Sequence, residues 1–85
     1  MGAPRIQSVT PLAERRLLVK FVNGVEKTYD CKPLLRLEMF QFIKNGAFFK
    51  SVKVDAGGCG LSWSDDADLS EYELWTNGKE PASTE

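Results

Sequence analysis

The chain has 85 residues, 42% of them hydrophobic, a formal net charge of −1 and no histidine. That length supports one core and no second domain, and the apolar content is that of a folded chain, outside the disordered range. The missing histidine removes the usual base for a serine or cysteine nucleophile and the commonest metal-ligating side chain.

The charge is unevenly spread. Residues 1–54 carry ten lysines and arginines against Glu14, Glu26, Asp30 and Glu38, while residues 55–85 carry Lys79 alone against eight carboxylates. Two halves that share one core are expected to neutralise each other on packing; the alternative is a molecule with a basic and an acidic face. No apolar run approaches the roughly 20 residues of a membrane span. The start MGAPRIQ lacks the apolar stretch of a secretory signal, so a cytoplasmic location is expected. In that compartment Cys31 and Cys59 read as reduced, buried small hydrophobes, and no C-x-x-C pair supports metal or redox work.

In chain order, residues 1–4 read as a tail and Arg5–Thr10 as a short strand closed by Pro11. Arg15–Val22 and Val25–Cys31 flank Asn23-Gly24, which predicts a β-hairpin because both turn residues tolerate positive φ. A three-residue loop with a bulge at Gly24 sets Phe21 opposite Val25 and Leu17 opposite Tyr29, a better apolar face than a two-residue turn gives. Pro33 opens the next helical segment. From Arg36 to Lys44 the spacing of Met39, Phe40, Phe42 and Ile43 predicts a helix capped at Asn45-Gly46, with at most one turn over Ala47–Phe49. Val52 and Val54, then Cys59, Leu61 and Trp63, alternate with polar or small residues on either side of Asp55–Gly58, predicting a second hairpin. Ser70 and Glu73 have capping-box spacing and start a short helix that carries Tyr72, Leu74 and Trp75. Residues 77–85 read as a second tail. The fold class is therefore α+β: one domain over residues 5–76, built from an N-terminal strand, a hairpin, a short helix, a second hairpin and a C-terminal helix.

Asn23, Gly24, Tyr29, Asp30, Pro33, Leu34 and Leu35, followed by Phe49, Val52, Val54, Asp55, Gly57, Gly58, Trp63, Asp65, Asp68, Leu69 and Ser70, make a recognisable series. With it the chain resembles a family of small bacterial domains, domain of unknown function 2442, across roughly residues 5–75. Ser64 stands where that family often has Pro, and Asp66 where it often has Gly. The resemblance implies an α+β fold and no established enzymatic activity. Its members occur alone, fused to helix-turn-helix DNA-binding domains, or encoded beside small toxin-like partners, which implies an interaction module.

Three surfaces merit functional readings. Trp63 with Asp65, Asp66 and Asp68 forms an aromatic and acidic corner suited to a basic protein partner. The same carboxylates offer hard oxygen ligands for Mg²⁺ or Ca²⁺, but no twelve-residue calcium frame is present, and they equally suit a helix N-terminus. Arg15, Arg16, Lys20 and Lys27 on the first hairpin offer a basic strip for nucleic acid, although outward charges on a half-exposed sheet account for them too. Gly57-Gly58-Cys59-Gly60 leads into a strand and not a helix, so it reads as a turn and not a phosphate loop. The expectation is a non-enzymatic interaction or regulatory module, antitoxin-like in the form the resemblance suggests. It uses no cofactor, and its partner is another protein or a second copy. The alternatives are a nucleic-acid-binding accessory domain and a metal-dependent enzyme at the acidic corner.

Overall fold

The two-residue period of strand side chains organises the first third of the molecule. In a computed structural model that describes residues 3–64 and 67–80, β1 (Ile6–Leu12), β2 (Arg16–Phe21) and β3 (Glu26–Asp30) form an antiparallel sheet in that order. Leu17, Val19 and Phe21 on β2, with Tyr29 on β3, point into the core. Leu17 stands opposite Tyr29, and the Phe21 N–H donates to the Val25 carbonyl at 2.8 Å. Gly24, at φ 92°, donates back to the Phe21 carbonyl at 2.9 Å, and Asn23 Oδ1 accepts from the Val25 N–H at 3.0 Å. The hairpin thus takes the three-residue register.

Pro11 does not close β1 as expected. The strand continues to Leu12, with Pro11 opposite Leu17. β1 is an edge strand, and there a proline nitrogen that faces away from the ladder removes no hydrogen bond. The link to β2 is strained, since Glu14 and Arg15 both hold left-handed backbone at φ 63° and 60°. The Arg15 side chain offsets this by bonding across the molecule. Its Nε donates to the Ile43 carbonyl at 2.8 Å, another guanidinium N–H reaches the Lys44 carbonyl, and the group lies 5.6 Å from the Phe49 ring centre.

The middle of the chain departs from the predicted α-helix. Residues Lys32–Arg36 and Glu38–Lys44 wind as two tighter 3₁₀ segments, separated by extended backbone at Leu37. Only Phe40 and Ile43 are buried in the second, a spacing of three that matches the 3₁₀ turn. Asn45 closes this segment as expected, its N–H donating to the Phe42 carbonyl at 3.1 Å, and it also starts α1 (Gly46–Phe49), its Oδ1 accepting from the Ala47 and Phe48 N–H groups at 2.9 and 3.4 Å.

The second sheet comprises β4 (Lys53–Val54), β5 (Gly60–Ser64) and β6 (Ala67–Ser70), antiparallel and in that order. The hairpin between β4 and β5 is the predicted one, with Gly57 and Gly58 at φ 81° and 75°. β6 was expected to be the approach to a helix; Ala67 and Leu69 face the core while Asp68 and Ser70 face out. α2 (Glu71–Asn77) follows. Ser70 Oγ accepts from the Glu73 N–H at 3.1 Å, but the Glu73 carboxylate accepts from the Tyr29 hydroxyl at 2.8 Å, so only half of the capping box forms. Residues from 77 do not fray at once. The Thr28 N–H donates to the Lys79 carbonyl at 2.7 Å, and the Lys79 N–H donates back at 2.9 Å. Residues 1, 2 and 81–85 of the expected tails lie outside the described residues.

Both sheets share one core, in which Leu17, Phe21, Phe49, Leu61 and Leu74 are fully enclosed. No described helix is long and apolar enough to cross a membrane. The cysteines divide. Cys31 is buried, and burial pushes its thiol up to about 12, with Asp30 adding to the effect. Cys59 is exposed, against expectation, because β5 begins one residue later at Gly60 and leaves Cys59 on the turn. A mild alkylating reagent should therefore label Cys59 quickly and Cys31 only on unfolding, as mass spectrometry over time would show; equal rates refute this placement. A thiol held neutral in the fold and ionising at about 8.5 when unfolded stabilises the fold fully below that pH. The stability lent by Cys31 should accordingly fall as pH rises from about 8.5 toward 12.

Candidate functional site

Trp63 does not stand on the surface. It follows Leu61 by two residues on β5, so the pleat turns both inward, and only 9% of Trp63 is exposed. Its indole Nε1–H donates to the Phe49 carbonyl at 3.0 Å. Phe40 and Phe42 meet the ring edge-on at 5.8 and 6.3 Å between centres, and Phe49 stacks at 6.3 Å. Four aromatic rings and a satisfied N–H make this a core cluster, which corrects the expected partner-binding tryptophan. Asp68 is exposed on β6 opposite Ser62. Asp65 and Asp66 lie outside the described residues. Among the described residues no group of three or more carboxylate, cysteine or histidine side chains is arranged to hold a metal.

The basic strip is dispersed. Arg15 is committed to Ile43, Lys44 and Phe49. Lys27 stands opposite Val19, on the inner face, and its Nζ donates to the Trp75 carbonyl at 2.6 Å while lying 4.1 Å from that ring's centre. Arg16 and Lys20 sit on the other face, each opposite a carboxylate residue, Asp30 and Glu26. Four cations on two faces, two of them engaged internally, make no continuous phosphate-binding surface.

Two features of the surface remain. The first is apolar. Leu37, Met39 and Phe48 are 49%, 56% and 56% exposed, and Phe48 packs edge-on against Phe42 at 6.2 Å. Leu37, Met39 and Phe42, with Glu38 and Ser64, line a groove of about 630 Å³ just outside the Trp63 cluster. Reading the segment as an α-helix hid this patch by turning Met39 inward; the 3₁₀ winding turns it outward.

The second is a cleft of about 520 Å³ where β3 meets α2 and the residues after it. Tyr29 forms its floor, with the hydroxyl bonded to Glu73, and burial with that carboxylate beside it pushes the phenol well above its usual range. Arg16, Asp30, Asn77, Lys79 and Glu80 rim it. Asp30 Oδ1 also accepts from the Lys32 N–H at 2.9 Å, which fixes the turn into Pro33. The sequence gives no sign of this cleft, because residues from three separate segments make it.

No curated protein and no solved structure matches the chain. The Asn-Gly hairpin, the Tyr29-Asp30 strand end, the double-glycine turn and the Ser70-capped helix all lie within residues 6–80, over which the chain matches the family described as Protein of unknown function (DUF2442), and it belongs to that family.

Proposed function

We propose that the protein is a non-catalytic interaction module whose partner, another protein, docks on the apolar face formed by Leu37, Met39, Phe42 and Phe48. The observation that carries this reading is the exposure of Leu37 and Met39 on one groove, with the exposed Phe48 packed against the Phe42 ring that lines it. Isolated exposed apolar residues are ordinary, but a contiguous set rimmed by polar groups is characteristic of association surfaces. A regulatory role of antitoxin type is the form in which such a module would act on a neighbouring gene product. The dispersal of Arg15, Arg16, Lys20 and Lys27 and the engagement of two of them weigh against nucleic acid as the target.

Burying Met39 and Phe48 against a partner contributes about 1.5–3 kcal/mol for each side chain. The double variant M39E/F48S should therefore weaken the complex at least roughly 30-fold, about 2 kcal/mol, and move the folding stability by less than about 1 kcal/mol. Co-purification with the product of an adjacent gene, followed by titration calorimetry of wild type and variant, measures both. The reading fails if the wild type binds neither that product nor itself, or if the variant binds as tightly as the wild type.

A further inference from the structure

The cleft between β3 and α2 holds charge of both signs, Arg16 standing opposite Asp30 on the ladder, with no direct ion pair formed among its lining residues. Among the described residues the one ion pair joins Lys32 to Glu14 at 3.7 Å, two residues that neighbour the cleft in sequence but do not line it. Arg16 and Lys79 on the rim therefore pair with no described carboxylate, and Asp30, Glu73 and Glu80 pair with no described cation. Two of the carboxylates are aimed by hydrogen bonds from the protein: Tyr29 holds Glu73 and the Lys32 N–H holds Asp30. Those bonds fix the carboxylates while leaving further lone pairs free to accept. Lys79 is fixed through its backbone, which bonds Thr28 in both directions. The charges are thus set on ordered backbone around a concavity, at a volume within the range typical of small-ligand sites.

We propose that this cleft binds a basic amino acid carrying a free carboxylate, the carboxylate set against Arg16 and Lys79 and the cationic nitrogens against Glu73, Asp30 and Glu80. Two rim cations against three carboxylates leave the carboxylates in excess, which a cationic side chain complements and an acidic one does not. Guanidinium suits the arrangement best, because its planar donors can bond two carboxylate oxygens at once. The Tyr29 ring and Pro33 supply the apolar wall for the aliphatic stem. The site is separate from the apolar face, and neither requires the other.

The same chemistry occurs in a free amino acid and at the C-terminus of a peptide. Amide chemical shifts of Thr28, Asp30, Asn77 and Lys79 should be followed while L-arginine, N-acetyl-arginine, N-acetyl-arginine amide and L-glutamate are titrated separately. Saturable shifts with L-arginine, and none with L-glutamate, are expected. Equal binding of N-acetyl-arginine identifies a peptide end as the natural source; its failure identifies the free amino acid. Glu73→Gln keeps an acceptor for Tyr29 but removes the charge, and Glu80→Gln alters an exposed rim residue; each should weaken L-arginine about tenfold, in line with losing one charge-assisted bond. Arg16→Ala should weaken L-arginine and leave the amide unaffected. The proposal is overturned if the shifts do not saturate, if the amide binds as well as L-arginine, or if both E73Q and E80Q bind unchanged.

Discussion

Trp63→Ala should remove about 3–5 kcal/mol of folding stability, the loss expected for a large aromatic taken from a core. Three ring contacts, with Phe40, Phe42 and Phe49, go with the indole. The Phe49 carbonyl also loses its donor. A domain of this size has only about 5–10 kcal/mol to lose, so the variant should be largely unfolded at modest urea concentrations. Trp63→Phe keeps most of the ring contacts and gives up the Nε1–H, and should cost about 1–2 kcal/mol. Urea unfolding followed by far-ultraviolet circular dichroism measures both. A Trp63→Ala loss below about 1 kcal/mol would mark a surface tryptophan and restore the partner reading that its burial removes.

Gly58→Ala should cost about 3 kcal/mol or more, for two separable reasons. Gly58 holds φ 75°, which an L side chain resists, and a Cβ there would lie 2.6 Å from the Ile6 carbonyl oxygen and 3.0 Å from the Ile6 nitrogen. Backbone stands on both sides of the clash, so no side chain can swing away. Gly24→Ala provides the control. Its φ of 92° is similarly unfavourable, but a Cβ there meets nothing within 4 Å. It should cost about 1–2 kcal/mol, the conformational part alone. Thermal melts of the two variants isolate the steric part, and equal losses would mean that the second hairpin does not press on β1 as the structure shows.

What could be read from the residues was whatever depends on local geometry. Asn23-Gly24 fixed a turn, and the apolar face chose its register. Gly57 and Gly58 marked the second hairpin through their need for positive φ, and Ser70 announced α2. The failures have physical causes too. Apolar residues between Arg36 and Lys44 fit a period of 3.6 about as well as one of 3, and tertiary contacts of Phe40 and Ile43 decided for 3. β6 was visible as the alternation of Ala67 and Leu69 with Asp68 and Ser70, but the run of carboxylates drew attention to charge instead of period. Trp63 shared the parity of Leu61, and that parity alone places it inside. Cys59 shared it also, yet the strand had not begun there. The groove lies mostly on residues 37–42 and was hidden by their winding, whereas the cleft has no local signature, since residues from three segments distant in sequence make it.

The two bonds between Thr28 and Lys79 also bear on how the molecule behaves among its own copies. The backbone groups of Glu26, Thr28 and Asp30 point away from β2, because the alternate residues of β3 are those bonded to it. Left bare, that row would offer a template for another chain's strand, the usual start of edge-to-edge aggregation. Lys79 occupies the middle position of the row, and the two positions beside it carry carboxylates. A single residue beyond α2 thus serves as a stopper, covering the middle of that row where the three-stranded sheet ends.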